Sequence, residues 1–393
     1  MRLAAVLVAI SVLGACVQPP ITLDPTPSAL ATTTNTPSAT PSPVPTRAPI
    51  AGVPVGAILS PDGKYLAATD QNASTFKLLG LDGTVVRQAS GFFNQLQWLP
   101  DSSGLFFASS APQRAGPLGI VEVDGRVTHT ELQLADTVVS PDGRTIAAEH
   151  QEGCCASIIQ REIRVSPRVG GPARVLVRST MPPTMTQPTT ILGVARDGRI
   201  LYRDGARIAL VGFDGSRAED LRVPDALDAS RLLTVQPAPD GAAIVMRTYD
   251  PITWWLFADG AIRPLPTGVE PVTSQRREML WVRNNELLVR ATGGSLGALD
   301  VVTHGVRTFP VTLPAPTSPI PMLPLVWAAV GVGHGKLLWM DGTRLRISDL
   351  TTGRVEDGRL AVSDPAAVRA EALPGGGFLV LTQQGAYRVE AGP

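Results

Sequence analysis

Reactive or ligating side chains are sparse in this chain. Among 393 residues there are three cysteines (Cys16, Cys154, Cys155) and four histidines (His129, His150, His304, His334). Cys154 and Cys155 are adjacent, so they either close a strained vicinal disulfide of the labile kind or stay reduced, one of them facing a sheet as a small hydrophobe. The histidines are far apart and lack ligand-like spacing, so no metal site is expected. No segment matches a Gly-x-Ser-x-Gly elbow, a phosphate loop or a calcium loop of alternating acids. No catalytic residue and no cofactor is therefore expected. Trp254-Trp255 are consecutive and on a strand must face opposite sides. Either both pack between sheets, or one stays exposed as an aromatic contact for a sugar or a protein.

Composition narrows the partners. Lys plus Arg number 34 against 34 Asp plus Glu, so the formal net charge is zero and the electrostatic footprint of a nucleic-acid binder is missing. Lysine occurs only at Lys64, Lys77 and Lys336, and the arginines are spread along the chain. An apolar fraction of 44% can supply a substantial core.

Arg2 precedes an apolar run from Leu3 to Gly14, too short to span a bilayer but suited to a signal peptide. The run ends in Leu13-Gly14-Ala15-Cys16, which resembles the lipobox of bacterial lipoproteins. The resemblance implies cleavage before Cys16, thioether lipidation of Cys16 and a chain held at a membrane by acyl groups. Residues 1–15 are thus expected to be a lipoprotein signal peptide. From Val17 to Ile50 there are nine Pro, eight Thr and three Ser, with Asp24 and Arg47 the only charges. Such a stretch cannot bury a core and favours extended geometry, so residues 16–50 read as a lipidated, disordered tether.

The elements beyond the tether repeat. Ser60-Pro61-Asp62-Gly63, Ser140-Pro141-Asp142-Gly143 and Ala238-Pro239-Asp240-Gly241 are the clearest copies of one turn. Weaker copies stand near positions 100, 196, 283, 333 and 374, at spacings of 39 to 55 residues. Pro sets φ for the first corner, Asp bonds turn amides and Gly accepts positive φ, so each copy closes a hairpin. These aspartates are therefore turn formers and not catalytic acids. A second turn follows each about twenty residues on, at Asp82-Gly83, Asp124-Gly125, Gly170-Gly171, Asp214-Gly215, Asp259-Gly260, His304-Gly305 and Thr352-Gly353. Two turns per unit of about 43 residues give four antiparallel strands, and a period of this size predicts a propeller. Residues 51–393 are thus expected to form an all-β propeller of eight four-stranded blades. Seven is the alternative, because the units at 196 and 333 are degenerate. The last unit has only three strands, and the segment Ile50–Val55 is expected to supply its missing outer strand and close the ring.

Ser60-Pro61-Asp62-Gly63-Lys64-Tyr65-Leu66-Ala67 and Ser140-Pro141-Asp142-Gly143-Arg144-Thr145-Ile146-Ala147 resemble the WD40-like repeats of TolB-type propellers. That resemblance implies an extracytoplasmic binding platform and no single chemistry. The expected role is a lipid-anchored propeller that binds a protein or envelope component, without catalysis and without nucleic acid. The alternatives are a propeller enzyme acting on a glycan or lactone through channel-facing residues, and a purely structural envelope component.

Overall fold

The computed structural model describes residues 48–54, 56–70, 75–91, 93–108, 117–133, 136–152, 160–179, 189–274, 278–291, 293–312, 327–363 and 368–390. Its strands form eight antiparallel sheets in a ring, an eight-bladed β-propeller. Among the described residues the helical content is one 3-10 turn, Ala229–Arg231. In each blade the strands follow one another in chain order, designated a to d. Blade 1, for example, runs Ile58–Leu59, Tyr65–Asp70, Thr75–Gly80, Val85–Ser90. The a strands of blades 3, 4 and 5 touch in turn, as do those of blades 6, 7 and 8, which places them around the central axis.

The turns explain why the strands fold back where they do. Asp62 Oδ1 accepts from Ser60 Oγ at 2.7 Å and from the Lys64 amide at 3.2 Å, while Gly63 takes φ +69°. Asp142 does the same with Ser140 at 2.5 Å and Arg144 N–H at 3.1 Å, with Gly143 at φ +71°. Asp82, Asp124 and Asp214 cap the c–d turns by accepting from the Thr84, Arg126 and Ser216 amides. All a–b and c–d turns share one face of the ring, the turn face. The opposite face, the loop face, is where the b–c and d–a connections begin and end.

Eight apolar clusters hold the described ring, one at each blade interface. The cluster between blades 8 and 1 shows the closure. Ile50, Val53 and Ala57 join Leu379, Leu381 and Ala386 of blade 8 and Leu66 and Leu79 of blade 1. Ile50 N–H donates to Ala386 O at 2.7 Å, which ties the amino-terminal segment to the third and last strand of blade 8, Gly385–Val389, although no described residue of 50–55 is itself in a strand. The degenerate units at 196 and 333 both form four-stranded blades, which settles the count at eight.

Two features depart from a regular repeat. Strand a of blade 6 is split into Val269–Pro271 and Trp281–Arg283, both paired with strand b, Glu286–Ala291. Gln236 of blade 5 steadies the detour, accepting from Met279 N–H at 2.6 Å and donating to Met279 O at 3.3 Å. The glycine-rich run at 331–335 ends strand a of blade 7, Trp327–Gly333, and turns back on itself. A Cβ on Gly331 would meet Ala370 O at 2.7 Å, and one on Gly333 would meet Ala372 Cβ at 2.4 Å, so blades 7 and 8 approach closely only because these residues are glycine.

Candidate functional site

The b strands of blades 3 to 6 share a pattern that builds the most chemically distinctive part of the ring. Each is an apolar run that ends, near the loop face, in a charged residue directed towards the next blade. They are Glu149, Arg203, Arg247 and Arg290. Alternation along the strand puts them on the same side as Ala147, Leu201, Val245 and Leu288, which pack into the interface with the following blade. On blades 7 and 8 the same side carries Met340 and Leu381. Charge at the interfaces is thus concentrated on one half of the ring.

A cavity of about 470 Å³ opens in the central channel beside this half. Strands a of blades 2 to 5 wall it with Gln97, Asp136, Thr137, Thr190, Leu192 and Leu233 among others, and Arg203 reaches it from strand b of blade 4. Leu233 is 53% exposed although it lies on an inner strand. Arg203 is buried. Its Nη1 donates to Ala229 O at 2.9 Å, with Ser230 O and Leu232 O at 3.4 and 3.5 Å, and its Nη2 donates to Thr190 Oγ1 at 3.5 Å. Burial pulls its guanidinium below the ordinary value, and the Glu149 charge acts against that.

Glu149 crosses to the free edge of strand a in blade 4, where its Oε1 accepts from Ile191 N–H at 2.7 Å. That amide lies on an innermost strand, where a side chain is needed to satisfy it. Burial, reinforced by the nearby Asp136 charge, pushes the Glu149 carboxyl up from 4.5 to about 8, against the opposing pull of the Ile191 amide, Arg161 and Arg203. Asp136 is itself raised by desolvation, although its side chain is open to the channel. At neutral pH Glu149 is thus a neutral, proton-bearing carboxyl.

Trp254 and Trp255 point to opposite sides of blade 5. Trp255 is buried in the interface with blade 4, its Nε1 donating to Thr253 Oγ1 at 2.8 Å. Trp254 is half-buried against the interface with blade 6, with the Arg247 guanidinium 5.4 Å from its ring centroid. Both pack between sheets, and both also border a loop-face cleft of about 720 Å³ between blades 5 and 6, with Ile252, Glu270 and Arg290. Tyr249 and Ile252, in the b–c connection of blade 5, are 50% and 60% exposed.

Cys16, Cys154 and Cys155 lie outside the described residues. The histidines do not converge. His129 packs edge-on to Phe107, and His334 bonds Leu373 O at 2.7 Å. Among the described residues no three His, Cys, Asp or Glu side chains gather into a metal-binding group. Asp136, Glu149 and Arg203 escaped the sequence reading. The signal that marks two of them is the charge ending an apolar strand, as in Thr145-Ile146-Ala147-Ala148-Glu149 and Ile200-Leu201-Tyr202-Arg203.

No protein-family model matches the chain, and no curated protein matches it. Its fold is that of the β-propellers. Sqt1 of Saccharomyces cerevisiae aligns with a TM-score of 0.51 at 11% identity, covering 88% of this chain and 98% of that one. A putative TolB from Agrobacterium tumefaciens aligns at 18% identity over 70% of this chain and 82% of its own, TM-score 0.34. Virginiamycin B lyase from Staphylococcus aureus aligns at 12% identity over 86% and 95%, TM-score 0.40. These likenesses concern the fold, which hosts binding modules and enzymes alike.

Proposed function

We propose that the chain is a lipid-anchored extracytoplasmic lipoprotein, attached through Cys16, whose propeller is a non-catalytic platform for a protein or envelope component. The observation that carries this reading is the pair of larger cavities on the loop face, each bordered by an exposed apolar side chain, Leu233 or Ile252. The turn face is built of short, self-capped turns, with Arg168 paired to Asp101 and Glu122 at 3.0 and 2.8 Å, and holds a smaller cleft of about 350 Å³ between the turns of blades 4 and 5. The loop face holds the channel cavity, the Trp254 cleft and the exposed Leu233, Tyr249 and Ile252. Exposed apolar groups beside a rimmed cavity fit a docking surface. The lipobox and tether support display of that surface away from a membrane.

Affinity purification of the detergent-solubilised full chain tests this reading against a variant carrying Leu233→Asp, Tyr249→Asp and Ile252→Asp. The expected result is an envelope component enriched with the native chain and lost with the variant. Equal recovery with both, or none with either, contradicts it.

A second reading, an enzyme acting on a glycan or lactone, draws on one observation. The Glu149–Asp136 pair holds two carboxyls that burial raises, with the Asp136 charge raising Glu149 further, the kind of perturbation that acid–base catalysis uses.

A further inference from the structure

Arg203 is a buried cation to which no described carboxylate comes within ion-pair distance. It is 5% exposed and forms no salt bridge among the described residues. Its polar partners are carbonyl oxygens and one hydroxyl, and its Nε has no partner. The neighbouring Asp204 is committed elsewhere, accepting from Ser179 Oγ at 2.7 Å and Thr189 Oγ1 at 2.9 Å. A buried charge without a counter-charge is costly by several kcal/mol, so a site of this kind favours an incoming anion. Arg203 also lines the channel cavity of about 470 Å³, whose wall is polar and apolar in similar measure, the apolar part including Leu192, Leu232, Leu233 and Val235. A volume of this order suits a small organic molecule. Asp136, on the same wall, opposes any incoming negative charge and a dianion most, and the apolar part of the wall favours an anion that carries an apolar tail over inorganic phosphate.

We propose that the channel cavity binds a small monocarboxylate bearing an apolar chain, with Arg203 as its charge partner. This rests on the loop face being the binding face, and it adds the ligand class. The carboxylate meets the guanidinium and the Thr190 hydroxyl, and the chain lies on the leucine wall. Glu149 sets the pH range. It faces Asp136, Arg161, Arg203 and the Ile191 amide, and it is neutral until about pH 8. Above that it ionises and becomes the counter-charge of Arg203 itself, competing with the ligand.

Calorimetric titration of the full chain with hexanoate, hexanol, hexylammonium and inorganic phosphate tests the assignment. Hexanoate is expected to bind at pH 6.5 at least about tenfold tighter than the other three, and to weaken about tenfold by pH 9. Arg203→Met is expected to abolish binding. Because that variant also loses the bonds to residues 229–232, Glu149→Gln provides a second arm and is expected to bind equally at both pH values. No hexanoate binding, equal binding of hexanol, hexylammonium or phosphate, or the same loss at pH 9 in Glu149→Gln overturns the proposal. Failure of these small probes leaves the recovery of an envelope component unaffected, so the two readings fail separately.

Discussion

The backbone N–H of Ile50 donates to the carbonyl of Ala386 across 2.7 Å, joining residues at opposite ends of the propeller. That bond fastens blade 8 to the segment leading into blade 1 and turns a row of sheets into a closed ring. Ile50→Pro removes the donor while keeping an apolar side chain. It is expected to lower the stability of the ring by about 1–3 kcal/mol in urea unfolding, whereas Ile50→Val stays within about 1 kcal/mol of the native chain. Equal effects would mean that the bond does not contribute to closure.

The Glu149 carboxyl gives the fold a pH dependence of unusual sign. Its proton is held more tightly in the folded chain, at about 8, than at its ordinary 4.5. Its contribution to stability is therefore complete below about pH 4.5 and is lost as pH rises to about 8, by an amount of roughly a few kcal/mol. Melting temperatures across pH 5 to 9 are expected to fall for the native chain and to fall much less for Glu149→Gln. Parallel curves would contradict the assignment.

Asp349 behaves in the opposite way. It accepts from the amides of Thr351 and Thr352 at 2.9 and 2.8 Å and pairs with Lys336 Nζ at 3.2 Å, and these bonds hold its carboxyl down at about 2. Its contribution is present above its ordinary 3.8 and is lost as pH falls through about 2. Asp349→Ala is expected to destabilise the chain by about 1 kcal/mol at pH 7, with a smaller deficit at pH 2. A deficit that stays constant down to pH 2 would show that the turn is held by other groups.

At Gly333 the space for a Cβ is filled by Ala372 Cβ. Gly333→Ala is expected to destabilise by about 1–3 kcal/mol through overpacking between blades 7 and 8. The exposed Gly335→Ala, where φ is +70° but the surroundings are open, tests backbone strain alone and is expected to have the smaller effect.

Trp255 and Trp254 separate core from surface on one strand. Trp255→Ala empties a buried site and is expected to destabilise by about 3–5 kcal/mol. The half-buried Trp254 is expected to cost less when truncated, because part of its ring already faces the cleft. Chemical denaturation of the two variants checks the order, and a larger loss at Trp254 would reverse it.

The ring itself is legible in the sequence because its punctuation is local. A Ser-Pro-Asp-Gly turn states its geometry within four residues, and eight such marks at similar spacing leave little freedom in architecture. The closure is legible by subtraction, from a last unit that lacks one strand. The site is less visible because it is not local. Glu149 matters through Ile191, 42 positions away, and Arg203 through Ala229 and the channel wall, contacts that no spacing announces. The detour in blade 6 is hidden for the same reason, since its anchor, Gln236, belongs to the preceding blade.

The most direct test of the platform is site-specific photo-crosslinking in the native cell, using the full chain with a photoreactive residue at Leu233, Tyr249 or Ile252 on the loop face, or at Asp240 or Asp259 on the turn face. The account expects a discrete adduct with an envelope component from the loop-face positions and none from the turn-face positions. Adducts confined to the turn face, or none from the loop face, would contradict it.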